Sequence, residues 1–236
     1  MHDSPPPVTG PTRAVLSDPI AVCAALDTAP VPPVPAAAVG MAWLRSRVAR
    51  FSHGPEHTRR RELIEAELRR VSPADLRERV RAVAHQPLAH VRILAESLGL
   101  QNISPEVVAT AATGYLPPAP LTPETDRAVG ELVAACGGSA DDVTAARIAV
   151  LLQSCAATTA LLERARNTDA TGSAGEVLDR VLATDPPPVR TRRVIDGAIT
   201  ELDLAAAGLP FGAGPHACPG REHALALAAG ILEGSR

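Results

Sequence analysis

Apolar residues recur at helical spacing through most of the chain, and Pro and Gly separate one apolar segment from the next. This pattern predicts a mainly α-helical protein. Helices are expected at about 13–27, 41–50, 56–70, 72–84, 87–99, 104–114, 122–135, 140–166, 175–183 and 221–233. One or two short strands are expected within residues 189–204.

The segment 145–162 is the most apolar of the expected helices, and Arg147 is its only charged residue. A helix that is apolar on nearly all sides is usually central in its domain. We find no apolar run of the length that a membrane span requires. Residues 1–12 are rich in Pro and are expected to form a flexible tail, with residues 13–236 as a single domain. The tail lacks the basic and apolar regions of a signal peptide, so we expect a cytoplasmic protein.

Composition narrows the fold class further. Of the 236 residues 46% are hydrophobic but only 2% are aromatic, so the core must consist mainly of Ala, Val, Leu and Ile. This favours helices and argues against an all-β barrel or sandwich. All 23 basic residues are Arg, as a GC-rich genome would favour, and they mix evenly with 26 acidic residues. This mixing, with a net charge of −3, argues against a nucleic-acid-binding surface.

The four cysteines are widely spaced and form no CxxC pair. Cys23, Cys136 and Cys155 stand among small apolar residues and are expected to be buried free thiols. Cys218 is different, because it lies in a Gly-rich loop, residues 211–220, with the sequence FGAGPHACPG. It precedes a predicted helix, whose dipole and free N–H groups favour a thiolate. Such a thiolate suits a soft axial ligand of a metal.

The loop resembles the heme-binding signature of the cytochrome P-450 family, FGxGxHxCxG, at every fixed position. The resemblance implies a heme b cofactor with the Cys218 thiolate as the axial ligand of its iron. It also implies that Phe211 shields the iron–sulfur bond and that His216 contacts a heme propionate. The other fixed positions of this cofactor-binding loop are Gly212, Gly214 and Gly220. The next residues, 221–228, resemble the family's helix beneath the heme.

Two other interpretations of the loop remain open from the residues alone. One is a Gly-rich turn around a buried structural Cys. The other is a zinc site formed by His216, Cys218 and His223, although this spacing matches no common zinc template.

Residues 51–61 resemble a second heme-binding part of the family, in which an HxxxR pair binds propionates. The pair is His57 and Arg61, which stand four residues apart and would share one helical face. An exposed helix with salt bridges to Glu62 and Glu65 would explain the same residues.

The central helix resembles the family's oxygen-activating helix, and Thr158 aligns with its catalytic Thr. The acid that precedes this Thr in the family is replaced by Ala157. Thr158 would alternatively serve as a small residue that lets another group pack closely. Residues 185–194 resemble the stretch from which an Arg, here Arg193, binds the other propionate.

The chain departs from the family in several places. The Glu-x-x-Arg pair would fall at residues 180–183, where both members are missing, and a literal match at 163–166 is misplaced at the end of the central helix. Only 17 residues separate Arg193 from Phe211, so much of the loop that braces the Cys is absent. Helices before the central helix and most of the N-terminal sheet are also missing. We therefore expect a truncated cytochrome P-450-like helical fold with at most a small residual β element.

The resemblance implies an unusually short bacterial heme-thiolate enzyme. We expect an oxidative tailoring step, monooxygenase- or peroxygenase-like, on a small molecule in secondary metabolism, with a ferredoxin-type electron donor. One alternative is a heme enzyme with a non-oxygenative reaction. Another is a heme-free accessory protein for a partner enzyme. A homodimer would replace packing that the missing segments no longer provide.

Overall fold

The computed structural model describes residues 13–169 and 171–235, which form a mainly α-helical fold with a small sheet. The expected tail, residues 1–12, lies outside the described residues. The helices are α1 (Pro19–Thr28), α2 (Gly40–Arg47), α3 (Gly54–Arg69), α4 (Pro73–Ala82), α5 (Ala89–Ser97), α6 (Pro105–Thr113), α7 (Pro123–Ala135), α8 (Asp142–Asn167), α9 (Ala174–Thr184) and α10 (Arg221–Gly234). The strands are β1 (Arg13–Leu16), β2 (Arg190–Ile195) and β3 (Ala198–Asp203), and short 3-10 turns span Ala49–Phe51 and Gly214–His216.

The first helix begins later than the sequence pattern predicts. Residues 13–16 form β1, and α1 starts only at Pro19. Asp18 caps the helix, because its side chain accepts a hydrogen bond of 2.8 Å from the N–H of Ala21. A residue before Pro disfavours helical geometry, so the helix cannot extend back through Asp18. The expected helix at 13–27 is therefore wrong over residues 13–18.

The small sheet has the strand order β1-β3-β2. One or two short strands were expected within residues 189–204, and two are present. Strands β2 and β3 form a hairpin, closed by Asp196 and Gly197 with φ values of 51° and 76°, as a tight two-residue turn requires. Strand β1 joins β3 in parallel, which no local signal in the sequence indicates. The sheet and α1 enclose a small core of Val22, Ala25, Leu26, Leu202 and Leu204. The prediction of a mainly helical fold with a small β element is confirmed.

Helix α8 is the central helix, as predicted. It packs against α3, α5 and α6, among other helices, and thirteen of its residues are buried. By length and composition α8 is nevertheless long and apolar enough to cross a membrane, so the expectation that no run reaches this length was wrong. Burial of 61% of its most apolar window inside the protein accounts for its apolar character.

Helix α10 packs on α4 through glycines rather than side chains. A Cβ atom at Gly230 would collide with the carbonyl oxygen of Arg77 and the side chain of Val80. A Cβ at Gly234 would collide with the carbonyl oxygen of Arg81. The backbone of α10 therefore lies directly on α4, and this contact fixes the helix that follows the Cys218 loop.

The four cysteines are free thiols, but only one of the three expected to be buried is so. Cys155 is buried in α8, whereas Cys136 is half-buried at the end of α7 and Cys23 is exposed on α1. Cys23 was misjudged because its neighbour Val22 turns toward the small core, while Cys23 lies on the solvent-exposed side of the helix.

Candidate functional site

The loop at residues 211–220 is held in shape by its own backbone. The N–H of Cys218 donates to the carbonyl oxygen of Phe211 at 2.8 Å, and the N–H of Gly212 donates to that of Leu209 at 2.9 Å. Gly212 and Gly214 have φ values of 69° and 64°, a region that L side chains rarely adopt. The turn therefore requires glycine at both positions.

Gly214 also brings the loop against the first helix. A Cβ atom there would lie 3.1 Å from the Cα of Asp27 and from the carbonyl oxygen of Leu26. This is closer than ordinary van der Waals contact, so only glycine allows the approach without displacement. Because Leu26 belongs to the core between α1 and the sheet, that small core supports the loop directly.

Cys218 stands at the end of the loop, just before α10, and its side chain is exposed. Desolvation by the surrounding protein still raises the pKa of the thiol. The N–H of Gly220, the N-cap of α10, binds the sulfur and opposes this rise, as do the charges of Arg61, Arg50 and Arg221. The exposure contradicts the interpretation of Cys218 as a buried structural thiol.

Arg61 links α3 to the same loop. Its Nη1 donates to the carbonyl oxygens of Ala217, at 2.5 Å, and Pro215, at 3.3 Å. Its Nε pairs with Glu65 at 2.6 Å, one of the salt bridges that the exposed-helix alternative required. Arg61 therefore both forms a surface salt bridge and contacts the Cys218 loop.

The rings of His57 and His216 are in contact, in a tilted arrangement. Their ring centroids are 3.9 Å apart, and the rings are tilted by 38°. Desolvation is the largest cause that lowers the pKa of His216 to about 3, and the neighbouring groups His57, Arg193, His53 and Arg50 contribute to the same shift. Desolvation and the charge of Arg61 also lower the pKa of His57. Both rings are therefore neutral at pH 7 and lie in a strongly positive field.

Arg193 is the most deeply buried cation of this region, with 3% of its surface exposed. Its Nη1 donates to the carbonyl oxygen of Arg192 at 2.8 Å and to the hydroxyl of Thr191 at 3.4 Å. Its Nε has no hydrogen-bond partner among the described residues. Desolvation, together with the charge of Arg50, lowers its pKa to about 10. The guanidinium therefore stays charged at pH 7, and no carboxylate in the described part of the chain pairs with it.

Arg50, in the 3-10 turn before α3, also belongs to this region, although it was not among the predicted site residues. Its Nη1 donates to the Oε1 of Gln153 on α8 at 3.3 Å. Its charge acts on His216, Arg193 and Cys218, so it belongs to the same cluster. No motif marks this residue, and in a chain whose basic residues are all Arg its identity carries no signal.

The zinc interpretation finds no support in the structure. The Nε2 of His223 lies 3.1 Å and 3.0 Å from the carbonyl oxygens of Leu68 and Val71, so this nitrogen is a donor and cannot bind a metal. No group of three His, Cys, Asp or Glu residues that could hold a metal ion occurs in the described part of the chain. Phe211, at the start of the loop, forms a cation–π contact with Arg221, whose guanidinium lies 5.0 Å from the centroid of the ring.

Thr158 is buried in α8, and its Oγ1 has no hydrogen-bond partner among the described residues. The neighbouring Ala156 and Ala157 are exposed, although they lie in the middle of the central helix. No helix within residues 13–169 and 171–235 therefore covers this part of α8. The structure brings five of the predicted site residues together: His57, Arg61, Arg193, His216 and Cys218. Thr158 makes no hydrogen bond to the Cys218 loop among the described residues, so no direct contact links it to this group.

The segments related to the Glu-x-x-Arg pair lie at the surface. Arg180 and Ala183 are exposed on α9, and Glu163 and Arg166 are exposed near the end of α8. Neither segment forms a buried ion pair.

Comparison with known proteins identifies the fold. No protein-family model matches the chain, and no curated protein matches it by sequence. Among solved structures, a thermophilic cytochrome P-450 from Sulfolobus tokodaii superposes with a TM-score of 0.70 at 14% identity, over 93% of this chain and 85% of that one. Cytochrome P-450 BioI, in complex with an acyl carrier protein ligated to hexadec-9Z-enoic acid, gives a TM-score of 0.62 at 16% identity, over 93% and 83%. A ligand-free cytochrome P-450 from Mycobacterium smegmatis gives 0.59 at 17% identity, over 94% and 83%. The chain therefore has a cytochrome P-450-like fold.

Proposed function

We propose that this protein is a heme-thiolate enzyme that carries out an oxidative step on a small molecule. The observation that carries the proposal is the exposed thiol of Cys218, bound by the Gly220 N–H and facing a cluster of cations within a cytochrome P-450-like fold. A thiol in this position is accessible to a metal, and coordination to iron would deprotonate it.

The residues around Cys218 fit a heme. A heme b carries two propionates, and the site offers Arg193, with an unpaired buried Nε, together with the neutral rings of His57 and His216 in a positive field. A carboxylate near Arg193 would offset the desolvation that lowers its pKa. Apart from Arg61, the cations around Cys218 therefore lack anionic partners among the described residues, and the two propionates of a heme would provide them.

When bound by a cysteinate, a heme iron supplies activation of oxygen or peroxide. The chain's own residues have simpler tasks. Gly220 donates to the sulfur and lowers its negative charge, and Phe211 is the residue that would shield the sulfur from water. Arg193 and the two histidines would anchor the propionates, while Arg61 holds the loop in place. The hydroxyl of Thr158, which like that of Ser154 on the same helix lacks a hydrogen-bond partner among the described residues, would be free to donate a proton.

The position beside Thr158 limits the type of reaction. Ala157 carries no ionisable group, but it is exposed, so water can approach this turn of α8. We therefore propose that protons come from solvent, as suits a monooxygenase or a peroxygenase-like enzyme with an open pocket.

The same Ala157 favours a second candidate, a heme enzyme with a non-oxygenative reaction, because such a reaction needs no proton relay. Incorporation of labelled oxygen from peroxide or dioxygen into a product distinguishes the two.

We also propose a place in secondary metabolism, with a ferredoxin-type electron donor. A homodimer would provide further support for the site. These proposals rest on the resemblance of the signature loop.

Heme uptake tests the proposal. The protein is produced with ample heme precursor, and heme per chain is measured from the Soret absorption after purification. We expect stoichiometric heme in the wild type and in Cys23→Ser, which removes an exposed thiol far from the loop in sequence. Cys218→Ser is expected to lose the cofactor or change its spectrum. A wild-type protein that folds without taking up heme would overturn the proposal and favour the heme-free accessory function.

A further inference from the structure

A cavity of about 310 Å³ lies between α5, α8 and α10, and none of the five residues grouped around Cys218 lines it. Its walls come from residues 84–88, the first residues of α5, the C-terminal half of α8 and Ile231 of α10. This volume is at the lower end of the range for ligand pockets, roughly 300–1,000 Å³. The cavity is therefore large enough for a small molecule and is separate from the site described above.

The deepest part of the cavity is apolar. Four of the residues that line it, each with 6% or less of its surface exposed, are Ala84, Ala89, Leu162 and Ile231. They come from four different segments of the chain and meet only in the fold. Such a surface favours the burial of an apolar group of a few carbon atoms.

Two polar side chains in the wall satisfy each other. His90 is only 4% exposed, and its Nε2 lies 3.3 Å from the hydroxyl of Thr159. Desolvation lowers the pKa of His90 to about 4, so the ring is neutral at pH 7. Since neither residue carries a charge, the charges that a ligand meets in this cavity come from other lining residues.

Those charges belong to Glu163 and Arg166, which have opposite signs. Both residues line the cavity, both are exposed, and they lie three positions apart on α8, so their side chains are neighbours on the helix surface. They do not pair with each other or with another residue in the part of the chain that the structure describes. An exposed charge needs no partner. Two opposite charges beside one apolar cavity nevertheless match a ligand that carries both charges and an apolar group.

We propose that this cavity binds an α-amino acid with an apolar side chain. Arg166 binds the carboxylate of the amino acid, Glu163 binds its ammonium group, and the apolar side chain lies on the four buried residues. A guanidinium and a carboxylate form two parallel hydrogen bonds, and a carboxylate is the acceptor that best suits an ammonium group. Thr159 follows Thr158 in the sequence but lies about 100° further round the helix, so the cavity and Thr158 use different sides of α8.

Titration with four matched probes tests this inference. L-leucine carries all three groups, 4-methylpentanoate lacks the ammonium group, 3-methylbutan-1-amine lacks the carboxylate, and glycine lacks the side chain. Each probe is titrated by calorimetry into the full chain as purified. We expect L-leucine to bind at least about tenfold more tightly than each of the other three probes.

Two substitutions assign the charges. Glu163→Gln should lower the affinity for L-leucine at least about tenfold and leave that for 4-methylpentanoate unchanged. Arg166→Gln should have the same effect on L-leucine and leave the affinity for 3-methylbutan-1-amine unchanged. Both positions are exposed, so neither change should unfold the protein. Glu131→Gln and Arg180→Gln are the matched controls, because both residues are exposed and neither lines the cavity, and they should bind L-leucine as the wild type does.

Absence of L-leucine binding, or equal affinity of the wild type for L-leucine and 4-methylpentanoate, would overturn the inference. Binding of L-leucine that survives both substitutions would also overturn it. A Soret shift on addition of L-leucine to the heme-loaded form of those variants would then locate the binding at the heme. The calorimetric titration needs no heme, so its result is independent of whether the proposed function holds.

Discussion

Arg61 donates a hydrogen bond of 2.5 Å to the carbonyl oxygen of Ala217, the residue that precedes Cys218. This bond joins α3 to the loop across 156 positions of sequence. The resemblance of residues 57 and 61 to a propionate-binding pair does not include such a contact. Arg61 therefore has a structural task at the site, since it fixes the backbone from which Cys218 projects.

Replacing Arg61 by Gln is expected to destabilise the loop and the whole domain. The side chain is partly buried and donates two hydrogen bonds to loop carbonyls, so we expect a loss of about 1–3 kcal/mol in the free energy of unfolding. Urea unfolding followed by circular dichroism measures this. Arg69→Gln on the same helix is the control, because Arg69 is exposed and only distantly paired with Glu65. Equal stability of the two variants would show that the contact with the loop is unimportant.

Arg193→Met is expected to raise the stability of the heme-free protein and to lower its affinity for heme. Burial of this unpaired charge costs free energy, so the heme-free variant should be more stable than the heme-free wild type by about 1–3 kcal/mol. Its affinity for hemin should fall by at least about tenfold, because one propionate loses its cation. Urea unfolding and hemin titration provide the two values. Arg190→Met on the same strand removes an exposed Arg paired with Glu201 and should change neither. A heme-free Arg193→Met that is less stable than wild type would contradict this account.

His90 is expected to make the protein sensitive to acid. Its ring is buried between α5 and α8, with Nε2 3.3 Å from the hydroxyl of Thr159, and desolvation lowers its pKa from 6.5 to about 4. Below pH 6.5 the unfolded chain therefore takes up a proton that the folded protein does not, so stability falls as pH falls from 6.5 to about 4.

The test compares the wild type with His90→Gln, which keeps a hydrogen-bonding group. Between about pH 7.5 and pH 5 the wild type should lose about 2 kcal/mol more free energy of unfolding than the variant. Urea titrations at the two pH values measure this. The same loss in both proteins would mean that His90 does not account for the acid sensitivity.

The contact between α10 and α4 should not tolerate a methyl group. At Gly230 an added Cβ would meet the backbone of Arg77, which cannot move independently, so Gly230→Ala should lower stability by about 1–3 kcal/mol. Gly130→Ala is the control, because Gly130 lies in α7 with nothing within 4 Å of an added Cβ. It should gain about 0.5–1 kcal/mol through helix propensity. Thermal unfolding gives the order of the three proteins, and a stable Gly230→Ala would contradict the close packing.

Helix positions and the Cys218 loop could be predicted because their signals are local. Pro and Gly mark the helix ends, and the turn at 211–220 needs glycine at positions that the sequence shows. Strand β1 could not be predicted, because it exists only through pairing with β3, some 185 positions later. Arg50 was missed for the same reason: its neighbours Gln153 and Arg193 come from distant segments. Both features depend on contacts between distant segments, which local sequence patterns do not show.

The carbon monoxide complex of the reduced protein tests the central claim most directly, because its absorption reports the axial ligand of a heme iron. The measurement compares the wild type with Cys218→Ser after each has been loaded with heme. The account predicts the strongly red-shifted Soret band of a thiolate-ligated heme in the wild type and its absence in Cys218→Ser. An unshifted band in the wild type, or a red-shifted band that persists without Cys218, would contradict it.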